Sequence, residues 1–271
     1  MIDTMRMGVS LPSAQLAQFS EWIIADQRDL EIDDPFYANI LDEDVSDRVD
    51  EIRTRLASFT GRRGIHGPTE GLSLLCDDAM VSQVVQHRLR QGLAFANAIG
   101  ATQMVLHSPF GCFGHPQMVH TNSTGLRTEI ATVHKLLDPS GAQAESLACQ
   151  IVLEVCSDVH TRPLIELVRS FDTPFVRLSV DVGHAHVMQQ FGGPAPDQWI
   201  FDANDLLAHV HLQDTDGLYD HHWAPGNGTL CWFAVFRALQ SLSHAPRMIL
   251  EVSPHDVMRG FTFLVQKGFV N

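Results

Sequence analysis

Eight times along its 271 residues the chain gives a short, mostly apolar run and then a stretch with helical spacing. The runs fall at 7–10, 28–33, 64–67, 103–107, 151–155, 175–182, 210–213 and 248–252. Between them, apolar residues recur three and four apart, as Val49, Ile52, Leu56 and Phe59 do, or Val85, Leu89, Leu93 and Ala96. That spacing predicts helices over 14–25, 47–59, 77–98, 126–137, 161–171, 200–207, 232–242 and 254–267, each with one apolar stripe. Strands apolar on both faces must be covered on both, and a parallel sheet wrapped by its own crossover helices does this. The count fits one α/β domain over 1–271, a single (β/α)₈ TIM barrel, better than an open doubly wound sheet. Neither a G-x-G-x-x-G nor a G-x-x-x-x-G-K phosphate loop follows an early run. Pro139 to Ala142 reads as a turn that breaks the chain after the fourth helix.

If the chain is a barrel, the residues at the C-terminal ends of its strands form the active face. Those ends carry His66, His107, Glu154, Asp181 with His184, His211 with Asp220 and His222 in the following loop, and Glu251. Glu154 and Glu251 sit inside otherwise apolar runs, IVLEV and MILEV. An unpaired carboxylate there would lose several kcal/mol or more of hydration. A shared divalent cation would offset that loss, and so would an arginine. Imidazoles and carboxylates together favour the cation, because both are good ligands for zinc or manganese.

The stretch from Ala208 to Leu230 concentrates this chemistry, with Asp214, Asp216, Asp220, His221 and His222 in one loop. His186 and His221 neighbour expected ligands and are substitutes for them. His209, two residues before His211, shares its face one layer deeper. His115 and His120, in the loop after the fourth strand, are expected at the surface, with contact to a substrate as the alternative. His87, His134, His160, His244 and His255 fall on helical patterns or their flanks and are expected in solvent.

The bulk properties narrow the partners. A formal net charge of −14 argues against a broad electrostatic grip on nucleic acid or an anionic membrane. Five cysteines without a C-x-x-C pair suit a reducing compartment, with Cys112 and Cys156 as small hydrophobes rather than nucleophiles. No basic N-terminal region precedes a long apolar stretch, and no run of 18 apolar residues exists. The expectation is a soluble cytoplasmic protein acting on a small molecule, with no membrane partner; a homo-oligomer is compatible with it.

The motifs themselves carry a resemblance. HGP at 66–68, LHS at 106–108, LE at 153–154, DVGHA at 181–185, HVHLQDTDG at 209–217, DHHWAPGNGTL at 220–230 and LEV at 250–252 resemble the xylose-isomerase-like barrel superfamily. That superfamily holds sugar isomerases and epimerases and the endonuclease IV type of apurinic endonuclease. The likeness runs from about residue 28 to 252, most specifically in D-x-x-H and D-x-H.

The isomerase and epimerase branch implies one manganese, magnesium or cobalt ion on Glu154, Asp181, His211 and Glu251. There the two glutamates serve as acid and base, and the proton passes through a metal-stabilised enediolate. His184 then contacts substrate, with His66 and His107 as further substrate-binding candidates. The endonuclease IV branch implies three zinc ions: one on His66, His107 and Glu154, a second on Glu154, Asp181, His211 and Glu251, a third on His184, Asp220 and His222. They would activate water against a phosphodiester.

Both branches meet departures. GPTEGLSLL after His66 holds no basic or aromatic wedge for DNA, and Asn227 stands where a G-E-G signature has its acid. The loop between His211 and His222 lacks the arginine with which epimerases bind substrate. The wording as a whole is most similar to sugar phosphate isomerase/epimerase-like proteins. The expected activity is therefore metal-dependent isomerisation or epimerisation of a sugar or sugar phosphate. A multinuclear zinc phosphoesterase and a non-catalytic metal- or sugar-binding barrel are the alternatives.

Overall fold

The structure, a computed structural model, describes residues 6–111 and 122–271. Cys112, His115 and His120 lie outside the described residues. Eight parallel strands close on themselves in sequence order: β1 (Met7–Leu11), β2 (Leu30–Ile32), β3 (Arg63–His66), β4 (Gln103–His107), β5 (Gln150–Val155), β6 (Val176–Asp181), β7 (Leu207–Leu212) and β8 (Arg247–Leu250). β1 pairs with β8 through Met7 opposite Met248 and Val9 opposite Leu250, which completes the barrel. The TIM-barrel expectation is met.

Helices cover the outside: α1 (Leu16–Ala25), α2 (Ser46–Arg55), α3 (Ala79–Ile99), α4 (Ser123–Ser146), α5 (Thr161–Ser170), α6 (Val182–Met188), α7 (Pro196–Ala203), α8 (Trp232–Ser241) and α9 (Val257–Gln266). Each lays an apolar stripe on the strands, as Val85, Leu89, Leu93 and Ala96 of α3 do, all buried. Asp78 caps α3, accepting from the N–H groups of Met80 and Val81, and Gly100 ends it at φ +71°. Removing this apolar surface from water is the main stabilising term.

Two expectations need correction. Pro139 does not break the fourth helix: α4 runs through it to Ser146. A proline inside a helix removes one N–H bond, but Leu136, Leu137, Ser140 and Ala144 around it are buried, so packing holds the helix through the defect. Glu251 follows β8 instead of lying within it. Its N–H still bonds the Leu212 carbonyl at 3.2 Å, so the strand direction carries on and aims the side chain.

Period-two alternation sorts the strand residues. On β7 the side chains of His209 and His211 point into the barrel, 1% and 0% exposed, while Val210 and Leu212 pack outward into the apolar core. The register sets Glu154 beside His107 on one neighbour and beside Ser179 on the other, and sets Asp181 beside His211. Closure of the sheet therefore brings residues far apart in the chain to one mouth.

Candidate metal centre

At that mouth the nine expected residues come together. His66, His107 and Glu154 offer ligand atoms within 4.8 Å of one another; so do Glu154, Asp181 and His211, and so do His184, Asp220 and His222. Glu251 joins them, its Oε2 3.3 Å from His211 Nδ1 and 3.7 Å from His222 Nδ1. No arginine pairs with Glu154 or Glu251 among the described residues; the histidines facing Glu154 are His107 at 3.8 Å, His184 at 3.7 Å and His211 at 2.6 Å. The arginine alternative is thereby removed.

Three of the histidines are oriented in one way. His66 Nδ1 lies 3.1 Å from the Gly67 carbonyl, His184 Nδ1 3.1 Å from the Val155 carbonyl, and His222 Nδ1 3.0 Å from the Glu251 carbonyl. A carbonyl only accepts, so each Nδ1 carries a proton and each Nε2 turns toward the mouth. Metal-ligating histidines are held in the same way, by a hydrogen bond on the far nitrogen. His184 and His222 both aim Nε2 at Asp220 Oδ2, at 3.1 and 3.0 Å. A lone pair facing a carboxylate at that distance is repulsive, so a proton or a cation must lie between them.

The carboxylates tell the same story. Glu154 Oε1, Asp181 Oδ2 and Glu251 Oε2 are buried with no hydrogen-bond partner, and such groups demand an explanation in a folded protein. Burial pushes Glu154 and Asp220 up, but the facing histidines outweigh it and hold both well below the ordinary carboxylate range. Burial dominates at Glu251, whose value is pushed up to about 8 against the pull of His211 and His222. Burial also takes His107 down to about 3. At His222 it is outweighed by the hydrogen bond to Asp220 and by Glu251, which raise it to about 9. An ion in place of the protons they share would leave neutral imidazoles and ionised carboxylates, a donor set for a divalent ion, and the unpartnered oxygens fit one.

Local structure fixes the loops. Asp181 caps α6, its Oδ1 accepting from the His184 N–H at 2.7 Å, which sets the D-x-x-H geometry. Gln213, fully buried, donates to Asp220 Oδ1 at 2.5 Å and accepts from the His222 N–H at 3.1 Å. A Cβ on Gly183 would come within 2.3 Å of the Gln213 amide, so a larger residue there would push that amide off Asp220 and His222. His222 itself holds a left-handed backbone, φ +50°, a conformation that surrounding bonds must impose on a non-glycine residue.

Other expectations separate. His186 bonds Gln189 and Thr229 away from the centre. His221 stacks on Trp223 at 4.0 Å and faces Asp216, so neither substitutes for a ligand. Asp214 is structural, accepting from the N–H groups of Thr215, Gly226 and Leu230 and from Trp232 Nε1 at 2.8–3.2 Å. Of the histidines expected in solvent, His134 bonds Asp138 and Ser170 and is only partly exposed, and His244 bonds the Leu207 carbonyl. Cys76, Cys149, Cys156 and Cys231 are free thiols.

Sequence reading misses Glu31, Ser179 and Gln213. Glu31 is 2% exposed inside the barrel, 2.9 Å from His211 Nε2, and its one signal is alternation within RDLEID. Burial raises Glu31, but His211 and the hydrogen bonds from His209 and His211 hold it well below its ordinary value.

Above the centre opens a cavity of about 480 Å³, with Phe36, Tyr37 and Ile40 opposite the polar wall. A closed parallel barrel with a buried, metal-competent cluster at its C-terminal mouth thus defines the class. A profile of the xylose isomerase-like TIM barrel matches residues 25–265, and the chain belongs to that family, as its motifs implied.

No curated protein matches the chain. Among solved structures, the TTHB071 protein from Thermus thermophilus, soaked with ZnCl2, is similar with 26% identity, a TM-score of 0.75 and 97% of each chain covered. A D-tagatose 3-epimerase-like protein has a TM-score of 0.78 at 18% identity, over 97% of this chain and 96% of its own. The 3-keto-D-glucoside 4-epimerase YcjR from E. coli has 0.69 at 16%, over 97% and 98%. At these identities the two epimerase likenesses carry the fold. None of the described helices is long and apolar enough to cross a membrane.

Proposed function

We propose that the chain is a divalent-metal-dependent isomerase or epimerase of a small sugar, moving a proton to and from a carbon beside a carbonyl. One observation carries this reading: Glu154, Asp181, His211 and Glu251 converge, with buried unpartnered oxygens, below a ligand-sized cavity. Zinc, manganese, magnesium or cobalt would be held by those four residues. Bound there, such an ion polarises a carbonyl and makes the adjoining C–H more acidic.

The acid and base roles go to Glu154 and Glu251, whose Oε2 atoms lie 2.6 and 3.3 Å from the same nitrogen, His211 Nδ1. Two carboxylates flanking one small space can take a proton from one face of a carbon and return one to the other. His184, His107 and His66 offer hydrogen bonds to substrate oxygens from the cavity wall, and Phe36 and Tyr37 offer an apolar face to the sugar ring. The neighbouring folds include proteins named as epimerases, which supports this choice.

The test is incubation of metal-loaded protein in D2O with a panel of ketoses and aldoses, free and phosphorylated. An active substrate gains deuterium at the carbon beside the carbonyl as its epimer or isomer forms. A metal-loaded protein that exchanges no proton across the panel ends this reading, and sugar binding without turnover would make it a binding barrel.

A second reading has its own observation. His66–His107–Glu154 and His184–Asp220–His222 are ligand groups beyond what one ion needs, and they suit a multinuclear zinc phosphoesterase. Elemental analysis separates the two: one ion per chain favours the isomerase. Two to three zinc ions favour the hydrolase and direct assays to phosphodiesters and abasic DNA.

A further inference from the structure

Four histidines of the centre have one nitrogen fixed by a protein acceptor. For His66, His184 and His222 the acceptor is a backbone carbonyl and the nitrogen turned to the mouth is Nε2. His211 is the reverse. Its Nε2 is turned down the barrel, 2.9 Å from Glu31 Oε1, and its Nδ1 faces Glu154 and Glu251. A side-chain carboxylate does for His211 what a carbonyl does for the others.

Glu31 is in turn held. Its Oε1 also accepts from Ser10 Oγ at 3.1 Å, and its Oε2 lies 3.2 Å from His209 Nε2. The far side of His209, Nδ1, lies 2.9 Å from Ser179 Oγ, and Ser179 donates to Glu154 Oε2 at 3.2 Å. Ser179, with one proton of its own, thus bridges His209 Nδ1 and Glu154 Oε2. The path closes on itself, from Glu154 through Ser179, His209, Glu31 and His211 back to Glu154. All five side chains are at most 2% exposed.

We infer that Glu31 is a positioning residue of the centre: it fixes His211 with Nδ1 toward the mouth, and through His209 and Ser179 it couples that ring to Glu154. The inference rests on the reading that Glu154, Asp181, His211 and Glu251 hold a metal. A carboxylate behind a ligating histidine orients the ring and raises its basicity more than a carbonyl does, and loss of such a partner typically weakens metal binding about 10–100-fold. Glu31 is suited to this because its neighbours in register supply the donors: Ser10 is its Cα partner on β1, and His209 and His211 share one face of β7.

The test compares wild type with E31Q, E31D and S179A, purified and metal-stripped. The probes are zinc, titrated against a chromophoric chelator, and cobalt, read by its d–d absorption. Expected are one high-affinity site in wild type that weakens about 10–100-fold in E31Q, a shifted cobalt spectrum, and partial recovery in E31D. S179A should weaken zinc a few-fold, and it carries the test with E31D if E31Q does not fold.

Zinc affinity unchanged from wild type in E31Q, or in its absence in both E31D and S179A, overturns the positioning role alone. Wild type that binds neither metal overturns this inference together with the reading beneath it. Loss of one whole ion per chain in E31Q, with the remaining affinity untouched, would make Glu31 a direct ligand beside His209 and His211 and overturns the positioning role as well.

Discussion

The two ends of the barrel bury polar groups with opposite outcomes. At the closed end Arg247, 9% exposed, donates to the Arg63 carbonyl at 2.7 Å and to Thr102 Oγ1 at 2.6 Å. Gln103 donates to Gln150 at 2.9 Å, Arg177 to the Thr173 carbonyl at 2.7 Å, and Arg62 forks onto Asp29. Burial lowers Arg247 to about 10 and leaves it charged. At the mouth, Glu154, Asp181 and Glu251 each keep a buried oxygen with no partner. Both ends lose hydration, but at the closed end the protein itself supplies the bonds of Arg247, Gln103 and Arg177, and at the mouth it does not supply those of the three carboxylates. The difference separates groups that hold the barrel together from groups able to take a ligand.

The largest effect that could break this comparison is on turnover. E154Q and E251Q should each lower the rate of deuterium exchange about 10²–10⁴-fold, the range for a lost acid or base, while each variant still melts cooperatively. Turnover near wild type in either variant would return its glutamate to a structural role and dissolve the contrast.

Metal removal comes next. At about a thousandfold excess over its dissociation constant, a bound ion should stabilise the fold by about 4 kcal/mol, read as a rise in Tm that chelator reverses. R247M at the closed end should cost about 1–3 kcal/mol, because it loses two hydrogen bonds from a charged donor, to the Arg63 carbonyl and Thr102 Oγ1, and should leave that metal-dependent shift intact. If R247M abolished the shift, the two ends would be one coupled unit.

How far the sequence carries these distinctions depends on the residue. Eight apolar runs between helical stretches specify the barrel because periodicity is a local signal, and the acids inside IVLEV and MILEV stand out against apolar neighbours. Asp214 and Asp220 do not differ on paper: both lie in one polar loop. Only tertiary contact makes one a hub for four donors and turns the other toward two histidines. Glu31 is hidden for the converse reason, since RDLEID has charges on every side of it and nothing local says which faces inward.

The PGNG segment reads as a turn, yet Gly228 is required for another reason: a Cβ there would lie 2.2 Å from the Thr215 carbonyl. Pro139 misleads because helix propensity is a weak prior beside burial. The hub predicts its own effect. D214A should cost about 2–3 kcal/mol in a denaturant melt by stranding buried donors, and a loss confined to activity would instead make it part of the centre.

Asp158, just past β5, tests an intermediate condition: a buried acid with hydrogen-bond partners and only a small pull from His184. It accepts from Ser108 Oγ at 2.7 Å and from the Cys156 N–H at 3.1 Å. Burial still prevails over those bonds and pushes it up to about 7. An acid raised on folding binds its proton more tightly in the native state, so stability is greatest below its unfolded value of about 4 and falls as pH rises toward about 7. The fall attributable to Asp158 is at most about 4 kcal/mol. Asparagine cannot ionise, so D158N should gain on wild type as pH rises from about 4 to about 7, in melts run with chelator so that metal release does not add to the slope. A difference between the two proteins that stays flat with pH would mean that the hydrogen bonds from Ser108 and Cys156 suffice to hold the buried charge, and that a buried carboxylate in this barrel needs no cation to stay ionised.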